Sequence, residues 1–309
     1  MTAPLYASLA EGPADGFADW AHASDGRRIR IGGWGLDAAK GTVFLLPGRS
    51  EYIEKYGRSA VGLRQRGYAT LTIDFRGQGL ASRVMASHLP GHVGDFAEFQ
   101  LDVAAMIAFA RARGLPQPYY LLCHSMGGCI GLRTLMSPHP FKAAAFSAPM
   151  WGIKMNRWQK SLAEVSSTLA TRLGAPYMYA PSTGPIAYVT TVPFTGNVLT
   201  TDPDMWAYMV RHLKGEPKLA MGGPTMGWLR AALTECSALG RLSCPALPTY
   251  VGLGTHERVV DPAPIKARMP HWKSGMLDMY EGDEHEILME RDRAHFLDKV
   301  TALFAAYPA

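Results

Sequence analysis

The sequence predicts an α/β protein with a mostly parallel central sheet that is flanked by helices. Short apolar runs at 42–46 and 69–73 are typical of strands that are buried on both faces. Between such runs, apolar residues recur at helical spacing, as from about 95 to 113. Glycine-rich loops follow the runs directly, and parallel sheets bind their ligands at these strand ends.

The chain begins with alternating segments on either side of the turn Ser24-Asp25-Gly26, which predict an antiparallel hairpin. The buried strands are expected at 42–46, 69–73, 119–123, 143–147, 246–253 and 274–280. The helices that accompany them are expected at 56–66, at 95–113 and in a closing segment through Phe296 and Phe304.

The regular alternation stops between residues 151 and 243. This segment is rich in Met, Trp, Tyr and Pro, with helix-like stretches at 158–173 and 204–214. We therefore predict a core made of residues 1–150 and 244–309, and a helical cap, 151–243, over the strand ends. Flexible thioethers and aromatic rings would suit a wall for an acyl chain, although ordinary helical packing explains them as well.

Composition excludes several classes of protein. The 31 Lys and Arg residues exceed the 26 Asp and Glu residues only mildly and form no block, which argues against nucleic acid as the main partner. A pI near 9 is compatible with weak attraction to an anionic membrane surface, but solubility explains it equally well. The four cysteines lack metal-ligand spacing, which favours a reduced, cytoplasmic chain, and no apolar run reaches the length of a membrane span.

The stretch 119–132 predicts a nucleophile elbow. An apolar strand runs into Ser125, and Gly127 and Gly128 relieve crowding where the following helix begins. The N–H of Met126 would lie at the helix start, where it favours a developing oxyanion. Cys123 stands where such turns usually have glycine. The alternative is a buried strand and a glycine-rich helix start with an incidental serine.

A serine nucleophile needs an imidazole base, and the imidazole needs a carboxylate to orient it. Two late predicted strands end in an acidic loop with Glu257 and Asp261 and in a loop with His285, in the chain order serine, acid, histidine. We favour Glu257 over Asp261 for the acid. Among the other histidines, His124 is expected to pack inside the elbow.

These motifs resemble those of the α/β-hydrolase fold and, within it, of the monoacylglycerol lipase and bacterial lysophospholipase group. The first oxyanion loop of that group is similar to residues 47–56, with proline in place of its histidine. Its Asp-x-Arg-Gly-x-Gly loop corresponds to 74–79, and its His-Ser-Met-Gly-Gly elbow to 124–128. In the acid loop, this chain has Glu257 in the group's first acidic position and Asp261 in its second.

The resemblance implies a serine ester hydrolase for single-chain lipids, which forms an acyl-enzyme on Ser125 with His285 and Glu257. The backbone N–H groups of Arg49 and Met126 would form the oxyanion hole, and no metal or cofactor is expected. The side chain of Arg49 would meet a phosphate, or instead pair with Glu51 or Glu54. A hydrolase of small esters or lactones and a non-catalytic binding module are the alternatives, and the oligomeric state is not predicted.

Overall fold

A computed structural model describes residues 1–308. Its eight strands form one sheet in the order β1-β2-β4-β3-β5-β6-β7-β8. In chain order, β1 to β8 are Phe17–His22, Arg28–Trp34, Thr42–Leu46, Ala69–Asp74, Tyr119–His124, Phe141–Ser147, Thr249–Gly254 and Gly275–Tyr280. The pairs β1–β2 and β2–β4 are antiparallel and all others are parallel, so the predicted mostly parallel sheet is confirmed.

Within residues 1–308, ten α-helices accompany the sheet. In chain order, α1 to α10 are Ala7–Ala10, Gly57–Gln65, Ala97–Ala112, Met126–Thr134, Arg157–Arg172, Tyr188–Thr191, Pro203–Gly215, Met226–Gly240, Pro262–Arg268 and Arg293–Ala305. Short 3-10 turns lie at Ile53–Tyr56, Pro217–Leu219, Met269–His271 and Ile287–Met289. Of these helices, α3 and α4 contribute to the core on one face of the sheet, and α2 and α10 to the core on the other.

The sheet order brings three loops together. Leu46, the last residue of β3, pairs with Cys123 near the end of β5, and His124 pairs with Ser147 at the end of β6. The loops that follow these strands therefore share the carboxyl edge of the sheet, where parallel sheets bind ligands. The strand predicted from 246 begins only at Thr249, since Pro248 has no N–H to donate to a ladder.

Residues 151–243 contribute four helices and, within the described residues, no strand of the sheet. The predicted helices at 158–173 and 204–214 correspond to α5 and α7, whereas α8 was not predicted. Its buried residues include Trp228, Leu229 and Leu233, and it packs against both the central core and α5. A helix that is buried on several sides lacks the one-sided apolar pattern that sequence reasoning uses. No helix within residues 1–308 is long and apolar enough to cross a bilayer.

Candidate active site

Ser125 lies in a strained turn between β5 and α4. Its backbone has φ 49° and ψ −117°, a combination that non-glycine residues rarely adopt. The turn is fixed by hydrogen bonds: the N–H of Ser125 donates to Ser147 O at 3.1 Å, and the N–H of Met150 donates to Ser125 O at 2.8 Å. The surrounding strands therefore hold the serine hydroxyl in one place.

Two glycines make the turn sterically feasible. A Cβ on Gly128 would lie 2.5 Å from Cβ of Pro149, and a Cβ on Gly127 would overlap the backbone carbonyls of Leu46 and Pro47. Both approaches are closer than real Cβ atoms tolerate. The helix after Ser125 can come this close to the neighbouring loops only because both positions lack side chains.

The structure explains how the elbow accommodates Cys123. The thiol is fully buried, and its sulfur occupies the space that a Cβ on Gly131 would fill. Gly131 lies in α4, six residues beyond the serine. The helix therefore carries a third glycine that makes room for the larger residue in the strand.

His285 lies between Ser125 and Glu257. Its Nε2 is 2.9 Å from Ser125 Oγ, and its Nδ1 is 2.7 Å from Glu257 Oε2. The other carboxylate oxygen of Glu257 accepts the N–H groups of Val259 at 2.6 Å and Val260 at 2.9 Å. This arrangement assigns the Nδ1 proton to the side of Glu257, so that Nε2 can accept the serine proton.

His285 and Glu257 each shift the pKa of the other. Burial opposes the charged form of each, but the Glu257 carboxylate raises the pKa of His285 above 6.5. In return, the charge and hydrogen bond of His285, with two backbone N–H donors, lower the pKa of Glu257 below 4.5. The carboxylate is thus suited to stabilising a charged imidazolium.

Asp261, His124 and Asp74 have hydrogen-bond partners other than Ser125 and His285. Asp261 caps α9 by accepting the N–H of Ala263 at 2.9 Å, and it makes no hydrogen bond with His285. His124 is buried, as expected, with its Nδ1 3.1 Å from Ser147 O, and burial lowers its pKa to about 3. Asp74 organises its loop, because its carboxylate accepts the N–H groups of Ile53 and Leu80.

Two backbone N–H groups beside Ser125 remain available to a ligand. Within residues 1–308, neither the N–H of Arg49 nor that of Met126 donates a hydrogen bond. Arg49 follows β3 and Met126 follows Ser125, so both belong to loops at the carboxyl edge of the sheet. Free N–H groups at such a position can stabilise an oxyanion.

Sequence reasoning missed a buried ionic cluster behind the site. Lys55 Nζ lies 2.6 Å from Oε1 of Glu51 and 2.5 Å from Oε1 of Glu286, and all three side chains are buried. His124 Nε2 is 3.5 Å from each carboxylate. Two glutamates and a histidine could hold a metal ion, but the ammonium of Lys55 binds both carboxylates. The only signal in the sequence was the position of Glu286, directly after His285.

A cavity of about 230 Å³ opens at Ser125 and His285. Its wall is largely apolar, with side chains from both segments of the chain: Met150, Ile153, Val189, Leu199, Met209, Leu213, Met221, Trp228, Val259 and Val260. Only some of the aromatic and methionine residues of 151–243 take part, because Trp158 and Met178 face solvent and Trp206 is buried away from the cavity.

The chain matches the family model described as serine aminopeptidase, S33, over residues 37–292. It is 32% identical over 262 residues to lysophospholipase L2 of Escherichia coli K12, covering 81% of this chain and 75% of that protein. Probable lysophospholipase L2 of Haemophilus influenzae is 26% identical over 257 residues, with 82% and 80% covered. A soluble variant of monoglyceride lipase from Saccharomyces cerevisiae has a similar fold, with a TM-score of 0.72 at 19% identity over 94% of this chain and 95% of that one.

Proposed function

Because the chain belongs to the serine aminopeptidase S33 family, within the lysophospholipase and monoacylglycerol lipase group of α/β-hydrolases, it is a carboxylic ester hydrolase, and we propose that Ser125, His285 and Glu257 hydrolyse single-acyl-chain lipid esters. The observation that carries this proposal is the pair of hydrogen bonds that His285 makes with Ser125 and Glu257.

In the first half of the reaction, Ser125 Oγ attacks the ester carbonyl carbon and its proton passes to His285 Nε2. The N–H groups of Arg49 and Met126 stabilise the negative charge that develops on the carbonyl oxygen. The intermediate collapses when the bond to the alcohol oxygen breaks and His285 returns the proton to that oxygen. An acyl group then remains on Ser125 and the alcohol leaves.

In the second half, water attacks the acyl carbon while His285 Nε2 takes one of its protons. The bond to Ser125 Oγ breaks, the proton returns to the serine, and the fatty acid is released. Glu257 keeps its charge throughout and offsets that of the imidazolium in both halves. Its two backbone hydrogen bonds hold it in place for this role.

The apolar wall of the cavity supports a lipid substrate. Met209 and Leu213 come from α7, Met221 from the segment that leads into α8, and Trp228 from the first turn of α8, and all four line the same cavity as Ser125. We assign residues 151–243 to a cap that covers the acyl chain. Burial of each methylene stabilises binding by about 0.8 kcal/mol at most, so longer chains should bind better until the cavity is filled.

The decisive experiment combines labelling and turnover. The wild-type protein should react with a fluorophosphonate and should hydrolyse monoacylglycerols and lysophospholipids, with higher kcat/KM for dodecanoyl than for acetyl esters. Ser125→Ala should lose labelling and at least about 10⁴-fold in turnover, with an unchanged thermal unfolding curve. A preference for acetyl esters would favour a small-ester hydrolase or lactonase. An unlabelled, inactive wild type would favour a binding module.

The outer face of α5 supports a transient contact with an anionic membrane surface. Trp158, Leu162, Val165 and Leu169 follow one another at helical spacing and are 53% to 66% exposed. The opposite face of α5 packs against α8. The helix also carries three basic residues, Arg157, Lys160 and Arg172, and only one acidic residue, Glu164. A basic, one-sided apolar helix is typical of segments that lie in a lipid interface.

Vesicle flotation would test this contact. The wild type should float with vesicles that contain phosphatidylglycerol and less with pure phosphatidylcholine, and Leu162→Gln with Leu169→Gln should reduce flotation several-fold. Met276→Gln is the matched control, because Met276 is 53% exposed on β8. Equal flotation of all three proteins would contradict the proposal. A dimer that the α5 substitutions dissociate would mean that a second copy covers this face. The cytoplasmic location stays a prediction.

A further inference from the structure

Two arginine side chains near the cavity have no acidic partner among residues 1–308. Arg49 lines the cavity itself, and Arg83 contacts Met221, which also lines it. Within the described part of the chain, no carboxylate lies within salt-bridge distance of either guanidinium, and both contact only uncharged groups. Elsewhere, the fold pairs its buried arginines with acids: Arg30 binds Glu54 and Asp74, and Arg76 binds Asp25, Glu98 and Asp102.

Arg49 is directed from the loop after β3 towards the segment that leads into α8. Its Nη2 donates to Gly222 O at 2.5 Å, and its guanidinium carbon lies 5.4 Å from the centroid of the Trp228 ring. Its Nε is buried and lacks a hydrogen-bond partner in this structure. Burial lowers the pKa of Arg49 to about 10, which leaves the group charged at neutral pH.

The neighbouring acids cannot neutralise Arg49, because other groups occupy them. Glu51 accepts hydrogen bonds from Lys55, the Tyr56 hydroxyl and the Gly48 N–H. Glu54 binds Arg30 through both carboxylate oxygens, at 2.9 and 2.7 Å. The expectation that Arg49 pairs with Glu51 or Glu54 is therefore wrong.

Arg83 is held in a similar way. It donates to the backbone carbonyls of Gly77 and Gly79, the latter at 2.6 Å, and its Nη1 is 3.7 Å from Met221 Sδ. Burial lowers its pKa to about 10. The charge of Asp74 raises the pKa of Arg83 but does not offset the effect of burial. The Asp74 carboxylate already binds another arginine, since its Oδ2 lies 2.8 Å from Nε of Arg30.

A half-buried guanidinium without a counter-ion is costly unless a ligand supplies the negative charge. We propose that Arg49, supported by Arg83 across Met221, forms a phosphate subsite that binds the head group of a lysophospholipid while its acyl ester lies at Ser125. This inference rests on the proposed function. The planar guanidinium can donate two parallel hydrogen bonds to phosphate oxygens, and the Trp228 ring beneath it would keep that plane in position.

The test compares two lipids that share one acyl chain, 1-lauroyl-glycero-3-phosphocholine and 1-lauroylglycerol. The measured quantity is the ratio of their kcat/KM values, because any effect on the shared chemistry cancels in it. Arg49→Gln should lower the ratio about 10- to 100-fold, and Arg83→Gln should lower it less. Arg49→Lys should give an intermediate ratio, since lysine keeps the charge but cannot donate two parallel hydrogen bonds from one plane. Exposed Arg111 on α3 provides the control, and Arg111→Gln should leave the ratio unchanged.

The outcomes separate the two proposals. If the wild type hydrolyses both lipids and the ratio is the same in Arg49→Gln and Arg83→Gln, the phosphate subsite is wrong and the ester hydrolase remains. If the wild type hydrolyses neither lipid, the lipid assignment fails and the subsite fails with it. If inorganic phosphate inhibits both lipids equally in the wild type but not in Arg49→Gln, the site binds free phosphate, which overturns the head-group assignment. Should Arg49→Gln not fold, Arg83→Gln decides the question.

Discussion

Lys55 Nζ lies 2.5 Å from Oε1 of Glu286, the residue that follows His285 in the chain. The same ammonium binds Glu51, which in turn accepts the N–H of Gly48 beside Arg49. A buried ionic chain therefore connects the loop after β3, with its proposed oxyanion donor, to the loop after β8, with the proposed base. We infer that this cluster keeps the two sides of the site in register.

The first prediction concerns this cluster. Lys55→Met should lower the free energy of unfolding by about 3–5 kcal/mol, because it leaves two buried carboxylates without a positive partner. Denaturant unfolding at pH 7 measures the change, and exposed Lys142 on β6 gives a control, Lys142→Met, that should change stability by less than about 0.5 kcal/mol. Adding Glu286→Gln to Lys55→Met should recover part of the loss. A fully additive double variant would mean that the two residues act independently.

The second prediction separates the two acids of one loop. Glu257→Gln should lower kcat/KM by about 100-fold or more, because a neutral amide cannot offset the imidazolium. Asp261→Asn should leave kcat/KM within a few-fold and lower stability by no more than about 1 kcal/mol, since Asp261 caps α9. Steady-state kinetics and thermal unfolding of both variants decide this. A greater loss of activity in Asp261→Asn than in Glu257→Gln would mean that Glu257 is not the triad acid.

Local patterns predicted most of this fold. The strands and the elbow could be read from the sequence because each depends on neighbouring residues, such as the apolar run at Thr42–Leu46 or the glycines after Ser125. The contact between Lys55 and Glu286 could not be read, because it joins residues that are 231 positions apart. Arg49 shows the same limit. Its neighbours in sequence offer two carboxylates, and only the three-dimensional structure reveals that both are already bound by other groups.

The third prediction concerns the space that Cys123 and Gly131 share. Gly131→Ala should destabilise the protein by about 1–3 kcal/mol, because the new methyl group would overlap the buried sulfur of Cys123. In a Cys123→Ala background that overlap is absent, and Gly131→Ala should be neutral or stabilising by up to about 1 kcal/mol, since alanine is the better helix former. Unfolding of the four proteins in this double-mutant cycle measures the coupling. A coupling near zero would show that α4 shifts freely and that the glycine has another role.

The last prediction concerns pH. His285 must be neutral to accept the serine proton, and its pKa is raised above 6.5, chiefly through the charge and hydrogen bond of Glu257, with smaller contributions from Glu286 and Glu51. Activity should therefore be lost as the pH falls through that raised pKa, and kcat/KM on a neutral monoacylglycerol should be half-maximal above pH 6.5.

The charged groups around the imidazole give the direction of each shift. Removing a negative charge favours the neutral ring, so Glu257→Gln should move the acid limb of the profile to lower pH, in the remaining activity or in the rate of fluorophosphonate labelling. Glu286→Gln should move it the same way but less, because Lys55 already compensates that carboxylate. Neighbouring His124 should not contribute, since burial keeps its pKa near 3 and the ring neutral over this range. An acid limb that stays in place in Glu257→Gln would mean that a group other than His285 titrates, and the proposed base would have to be replaced.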